Sequence, residues 1–376
     1  FRAHERTECE FAPSVNLLYG PNGAGKTNVL EAVHYLCLSK GFVTSSDRYI
    51  VRKGAGHAEV EGAFTRDEGR DQRVRMAYVP GEGKRMFVNG APLDRISDIV
   101  GQLPVVVYSP EDHALTSGGP SERRRFLNNL LSQAGPLYLD ALLKYRRVLK
   151  QRNRLLSRLK EQRSLNASEV LASWDEQLVA HGSRIMLTRA RFVREFEAFL
   201  DRAYEAIEAV AEKPTIKYDT IASIDPDAAL EDVEATYREE LLESVHHERR
   251  REVTLVGPHR DELVFRLNGM LVRRYASQGQ HRTFGMSMKL AKYFYLQDRR
   301  EEFPILLLDD VFDHLDRRRS RAFLELLQSD RIGQTIITAT DRRPFAAFVS
   351  FEEDENQALY VEGGRITRAE AAELGA

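Results

Sequence analysis

Eight residues, GPNGAGKT at Gly20–Thr27, constrain this chain more than any others. They follow a short apolar run, Val15-Asn16-Leu17-Leu18-Tyr19. They open a segment in which Val29, Leu30, Val33, Leu36 and Cys37 recur at helical spacing. Strand, glycine loop and helix in that order make a phosphate-binding loop. The glycines let backbone N–H groups converge on an anion, and the helix N-terminus favours negative charge. Gly20, Pro21, Asn22, Gly23, Ala24 and Gly25 are therefore expected to cradle the phosphates, with Asn28 just beyond them. Lys26 is expected to reach the β- and γ-phosphates, and Thr27 to place its hydroxyl on Mg²⁺.

A second motif answers the first. Ile305-Leu306-Leu307-Leu308 ends in Asp309-Asp310. Four apolar residues bury a parallel-type strand, and the carboxylates emerge at its C-terminal end, where ligands meet open α/β sheets. Asp309 is expected in the Mg²⁺ shell. Asp310 is expected to orient or activate the attacking water, as a catalytic partner of Lys26. Adjacent strand residues point to opposite faces, but the strand ends here, so both can reach the site.

Between these motifs the texture changes. Residues 121–213 are long, charged and almost free of Gly and Pro. Leu142, Tyr145, Leu149, Arg152, Leu156 and Leu159 follow 3–4 spacing, with Arg152 the one break. Leu178, Ile185, Phe192 and Phe199 recur every seventh position. Two long helices joined by the polar 161–173 segment are expected to pair antiparallel, with a further helix at 228–245. Strands are expected at 252–275, with Asn268-Gly269 as a hairpin turn like Asn89-Gly90. A helix follows at 280–300. The expected organisation is an α/β head in two halves, 1–120 and 251–376, interrupted by a helical arm at 121–250.

Composition excludes some classes. Of 376 residues, 42% are apolar, too many for a disordered chain. The net charge of -2 leaves any basic surface local. Two cysteines, Cys9 and Cys37, form no disulfide framework or zinc motif, and Cys37 fits a helix core. No apolar run is long enough to span a bilayer and no secretory signal is evident. A cytoplasmic protein is the expectation.

Ser277-Gln278-Gly279-Gln280 lies just before a helix and ahead of the acidic strand. Alone it reads as a polar helix cap. In this order it resembles the SGGQ-like segment of ATP-binding cassette ATPases, which contacts the γ-phosphate held by the other subunit. The resemblance implies ATP as ligand, a P-loop head with a mixed sheet flanked by helices, and a head-to-tail dimer served by Ser277. Asp313-His314-Leu315-Asp316 resembles that family's dimer-contact loop. Two departures stand out: Asp309-Asp310 replaces the usual Asp-Glu, and Thr340-Asp341 replaces a switch histidine. Both suggest slow hydrolysis. Gln102 precedes its strand and is misplaced for the family's glutamine, and Tyr108-Ser109-Pro110-Glu111-Asp112 occupies that junction.

The details resemble the RecF family of DNA replication and repair proteins. The matching pieces are FRAHE at Phe1–Glu5, NGAGKTNVLEAVHYL at Asn22–Leu36 and SPEDHALTSGGPSERRRFL at Ser109–Leu127. TLVGPHRDEL at Thr254–Leu263, YASQGQHRT at Tyr275–Thr283 and LLLDDVFDHLD at Leu306–Asp316 complete them. This resemblance implies a head that dimerises on ATP and a weak ATPase stimulated by DNA. It implies binding at gaps or single-strand/duplex junctions in recombinational repair, with RecR and RecO as partners. It implies nucleoid association, and a natural start slightly upstream of Phe1. The alternatives are a transporter cassette, a chromosome clamp, or a DNA-binding module with a vestigial nucleotide site.

The first arm helix carries eight Lys or Arg and no acid from Ala141 to Lys160. Lys144, Arg147, Lys150, Arg154 and Arg158 fall on one face, opposite Leu142, Leu149 and Leu156. That face is the expected track for DNA phosphates, against a plain solvated face. Arg123-Arg124-Arg125 and Arg249-Arg250-Arg251 are weaker candidates, and His246-His247 read as surface residues.

Overall fold

A computed structural model describes the chain except residues 45, 163–166, 208–211, 313–316, 352–353 and 369–376. The first stretch holds β1 (Val15–Tyr19), α1 (Lys26–Leu38), β2 (Ala58–Thr65), β3 (Asp71–Val79), β4 (Gly83–Val88), β5 (Ala91–Pro92) and β6 (Val105–Tyr108). Then come α2 (His113–Ser117), α3 (Pro120–Ala134), α4 (Pro136–Gln162), α5 (Ala167–Ile207), β7 (Pro214–Asp219) and α6 (Leu230–Arg251). They are followed by β8 (Glu262–Leu267), β9 (Met270–Leu271), α7 (Val272–Tyr275) and α8 (Gln278–Arg300). The last stretch holds β10 (Ile305–Leu308), α9 (Arg317–Leu327), β11 (Thr335–Ala339), α10 (Arg343–Ala346), β12 (Gln357–Glu362) and β13 (Arg365–Arg368).

Two compact units emerge. The first comprises Phe1–Asp112, Ala203–Val210 and Met286–Ala376, and the second His113–Arg202 and Ala211–Gly285. The expected return to the head at 251 thus lies at 286, and the expected departure at 121 lies at 113. The reason is local: β8 and β9 pair with β7, not with the strands of the first unit. An alternating strand pattern reads the same in any sheet, so the sequence did not say which sheet it joins.

The first unit is a doubly covered α/β layer. Its main sheet runs β13-β12-β1-β11-β10-β6, with only β13 antiparallel. Val15, Leu17 and Leu18 on β1 and Leu307 and Leu308 on β10 are essentially inaccessible, as strands buried on both faces require. Leu30, Tyr35, Leu36 and Cys37 of α1 join the same apolar core. Burial pushes the Cys37 thiol above its ordinary pKa, which makes it a core group rather than a reactive one. A second, antiparallel sheet runs β2-β3-β4-β5. Asn89, with positive φ, turns the chain between β4 and β5, and Asn268 does so between β8 and β9.

The second unit is the helical arm. Arg152 on α4 meets Asp175 on α5, and Arg189 on α5 meets Tyr138 on α4. The two helices therefore run antiparallel, as their apolar spacing predicts. The joining segment is shorter than expected, because α5 already begins at Ala167. Arg152, the break in the apolar stripe, is fully buried: its Nη1 lies 2.7 Å from Glu248 of α6, its Nε 2.6 Å from Asp175. Asp261 of the GPHRDEL motif accepts from Arg189, Thr220 and Tyr218, and Arg123 pairs with Glu262 at 2.6 Å. That motif is the arm's polar hub, and it buries Arg123 in an ion pair. No helix among the described residues is long and apolar enough to cross a membrane.

Candidate nucleotide site

The loop after β1 carries left-handed glycines at Gly20, Gly23 and Gly25. A side chain at Gly20 would drive its Cβ to 2.2 Å from the Val361 carbonyl oxygen, so only glycine fits there. Lys26 is buried, and its ammonium donates to the Gly20 carbonyl at 2.8 Å and the Pro21 carbonyl at 3.0 Å. The loop thus curls around its own cation, the arrangement that suits an incoming phosphate.

β11 lies between β1 and β10 in the sheet. Leu308 pairs with Ile337, so the next residue on β11, Thr338, sits level with the acidic pair. The Thr27 hydroxyl donates to Asp309 Oδ1 at 2.8 Å, and Thr338 Oγ1 lies 2.9 Å from the same oxygen. The Asp310 N–H donates to Thr338 Oγ1 at 2.9 Å, and its Oδ1 lies 3.3 Å from that hydroxyl. Asp310 adopts a left-handed backbone at φ 47°, which turns the chain out of the strand. Both carboxylates therefore meet at one threonine. Burial raises the pKa of Asp309, and the Thr27 and Thr338 hydrogen bonds oppose that shift. A buried, hydroxyl-supported carboxylate beside Thr27 is a hard oxygen donor set that fits a magnesium ion.

Thr338 was invisible to motif reading, which stopped at Thr340-Asp341. The only signal was a hydroxyl inside a strand, Thr335–Ala339, whose every residue is buried. Asp341 pairs with Arg343 at 2.5 Å. Gln102 binds Gln72 and the Asp98 carbonyl, away from the end of β6, consistent with its misplacement. The Asp313–Asp316 loop lies outside the described residues.

In the second unit, Ser277 is exposed and caps α8. Its Oγ accepts the Gln280 N–H at 3.2 Å, and Gln280 Oε1 accepts the Ser277 N–H at 2.8 Å. This is a reciprocal capping box. Gln280 also donates to Glu212 at 2.8 Å, and Gln278 and Gly279 form the first turn. The plain cap reading is therefore correct as local structure. On α4, Lys144, Arg147, Lys150, Arg154 and Arg158 are all exposed. Lys144 is partly neutralised by Asp140 at 2.8 Å. Arg146, Lys150 and Arg154 border an open groove of about 550 Å³ with Asn153, Ser157 and Glu252. His246 and His247 are exposed, as expected.

The family model for the RecF/RecN/SMC N-terminal domain matches residues 1–360. The DNA replication and repair protein RecF of Salinibacter ruber is 56% identical over 98% of this chain and 90% of its own length. This chain belongs to the RecF family. The RecF of Chloroherpeton thalassium is 44% identical over 92% of this chain and 94% of its own. A solved structure of the "recombination mediator protein RecF-ATPrS in RecFOR pathway" shares the fold at TM-score 0.89 and 29% identity, covering 98% of this chain and 96% of that one. An Smc head from Pyrococcus furiosus, at TM-score 0.51 and 15% identity, shows a likeness of fold alone. RecF membership sets aside the transporter cassette and the chromosome clamp.

Proposed function

We propose that this RecF protein binds ATP with Mg²⁺ and uses the bound state to join two copies on DNA during recombinational repair, hydrolysis then releasing them. The observation that carries the reading is the Thr27–Asp309–Thr338–Asp310 cluster behind the phosphate loop. The loop N–H groups and Lys26 hold the phosphates; Thr27 and Asp309 hold the metal, which offsets phosphate charge. Asp310 orients water. Aspartate reaches about 1.5 Å less far than glutamate, which suits a slow, switch-like ATPase. Ser277 of each copy serves the nucleotide of the other. DNA at gaps or single-strand/duplex junctions engages the exposed face of α4, and RecR and RecO act as partners in the cytoplasm, at the nucleoid.

The deciding experiment is ATP turnover per chain against protein concentration, with and without gapped duplex. A rate that climbs with concentration and rises again with DNA supports a composite site coupled to DNA. A flat, DNA-insensitive rate removes both. Ser277→Arg is expected to bind ATP normally yet remain monomeric with ATP in light scattering. Normal ATP-induced dimerisation of that variant would end the trans assignment.

Charge reversal of Arg147, Arg154 and Arg158 to Glu is expected to weaken DNA binding by about two to three orders of magnitude at low salt. It is also expected to flatten the salt dependence, with ATP affinity unchanged. Fluorescence anisotropy with a gapped duplex reads both. Equal affinity of the variant and the wild type at low salt would take α4 out of the interface.

A further inference from the structure

The N-terminal FRAHE segment enters the nucleotide site through a contact that no motif records. His4 is 7% exposed. Its Nε2 lies 3.0 Å from the Gly25 carbonyl, and its Nδ1 lies 2.9 Å from Thr7 Oγ1. A carbonyl only accepts, so Nε2 carries the proton. Thr7 Oγ1 also lies 2.9 Å from the carbonyl of Gly364, in the turn between β12 and β13, and its one hydrogen serves either that carbonyl or His4 Nδ1. The Gly364 N–H donates to the Ala24 carbonyl at 3.1 Å.

Two successive peptide planes of the phosphate loop are thus gripped: the Gly25 carbonyl, which also accepts the Asn28 N–H at 3.1 Å, by His4, and the Ala24 carbonyl by Gly364. The Gly25 carbonyl shares its peptide with the Lys26 N–H, and the Ala24 carbonyl shares its peptide with the Gly25 N–H. In a planar trans peptide the carbonyl and the N–H point in opposite directions. Holding both carbonyls toward His4 and Gly364 aims both N–H groups the other way, into the loop's concave side. The fit is tight. A Cβ at Gly25 would lie 2.8 Å from His4 Nε2, and one at Gly364 would lie 2.7 Å from the Ala3 carbonyl oxygen.

We infer that His4, backed by Thr7 and Gly364, is a positioning residue for nucleotide binding. It pre-sets the Gly25 and Lys26 N–H donors so that they need no reorientation when phosphate arrives. The inference rests on the ATP site proposed above. Its effect is on affinity: with the donors aimed by the bound phosphate itself at saturation, turnover at high ATP changes little.

The test is a substitution series read by equilibrium ATP binding and by turnover. His4→Gln keeps a donor near Nε2, His4→Asn keeps one near Nδ1, and His4→Phe keeps ring volume with no donor. His4→Gln is expected within about threefold of wild-type affinity. His4→Asn and His4→Phe are expected to bind about tenfold more weakly, the scale of one backbone-directed hydrogen bond in a dry site. Turnover at saturating ATP stays within twofold of wild type, about the same in all three. Wild-type affinity in His4→Phe would reduce His4 to a packing residue and overturn the inference. So would equal losses in the Gln and Phe variants. Gly364→Ala, which displaces the second grip, is expected to weaken ATP as His4→Phe does; unchanged affinity there removes Gly364 from the set. Lys26→Met run alongside separates the two readings: if it too binds ATP normally, the nucleotide site itself is misplaced.

Discussion

Lys26→Met is expected to raise the dissociation constant for ATP at least a hundredfold, about 2.7 kcal/mol. The substitution keeps length and apolar stem but removes the only cation that the loop encloses. The two carbonyls it now binds, Gly20 and Pro21, lose their partner. They turn a site built for an anion into one that presents lone pairs to it. Charge-assisted hydrogen bonds are roughly twice as strong as neutral ones, and this one sits in a buried position. Titration with a fluorescent ATP analogue reads the loss, and a melting curve without nucleotide confirms that the fold persists. Near-normal affinity would mean that the phosphates lie elsewhere.

The second large effect concerns the arm. Arg152→Ala is expected to destabilise the second unit by about 3–5 kcal/mol. Arg152 and Glu248 are both fully buried, and Asp175 is mostly so. Removing the guanidinium leaves two carboxylates in a low-dielectric interior with no cation, the costly way to break a buried pair. The Thr254 hydroxyl loses a donor as well. The chain's single tryptophan, Trp174, adjoins Asp175, so its fluorescence reports denaturant unfolding of this region directly. A midpoint unchanged from wild type would show that water reaches the triad. Lys26→Met is thus expected to lose ligand and keep its fold, and Arg152→Ala to lose fold before ligand.

Much of the site was legible because its chemistry is local. A phosphate loop is eight consecutive residues, and its strand and helix announce themselves by spacing. Asp309 and Asp310 likewise end an unmistakable apolar strand. What could not be read was whatever joins residues far apart in the chain. Thr338 meets Asp309 because β11 slides between β1 and β10, and strand order is not written in any one strand. His4 reaches Gly25 because the segment before β1 packs against the loop, and a histidine outside any helix or strand has no periodicity to betray it. Arg152 looked like a flaw in an apolar stripe, because the carboxylates that make it a core residue lie on two other helices.

The capping box at Ser277 has a consequence for what that residue can still do. Its oxygen is used as an acceptor, by the Gln280 amide. A hydroxyl that accepts keeps its own hydrogen. The side chain is exposed and its rotamer is held by the cap, so this hydrogen swings on a short tether over a fixed oxygen. The helix start therefore leaves a directed donor at the surface, of the polarity a terminal phosphate oxygen takes. Capping the helix therefore does not use up the serine's capacity to donate.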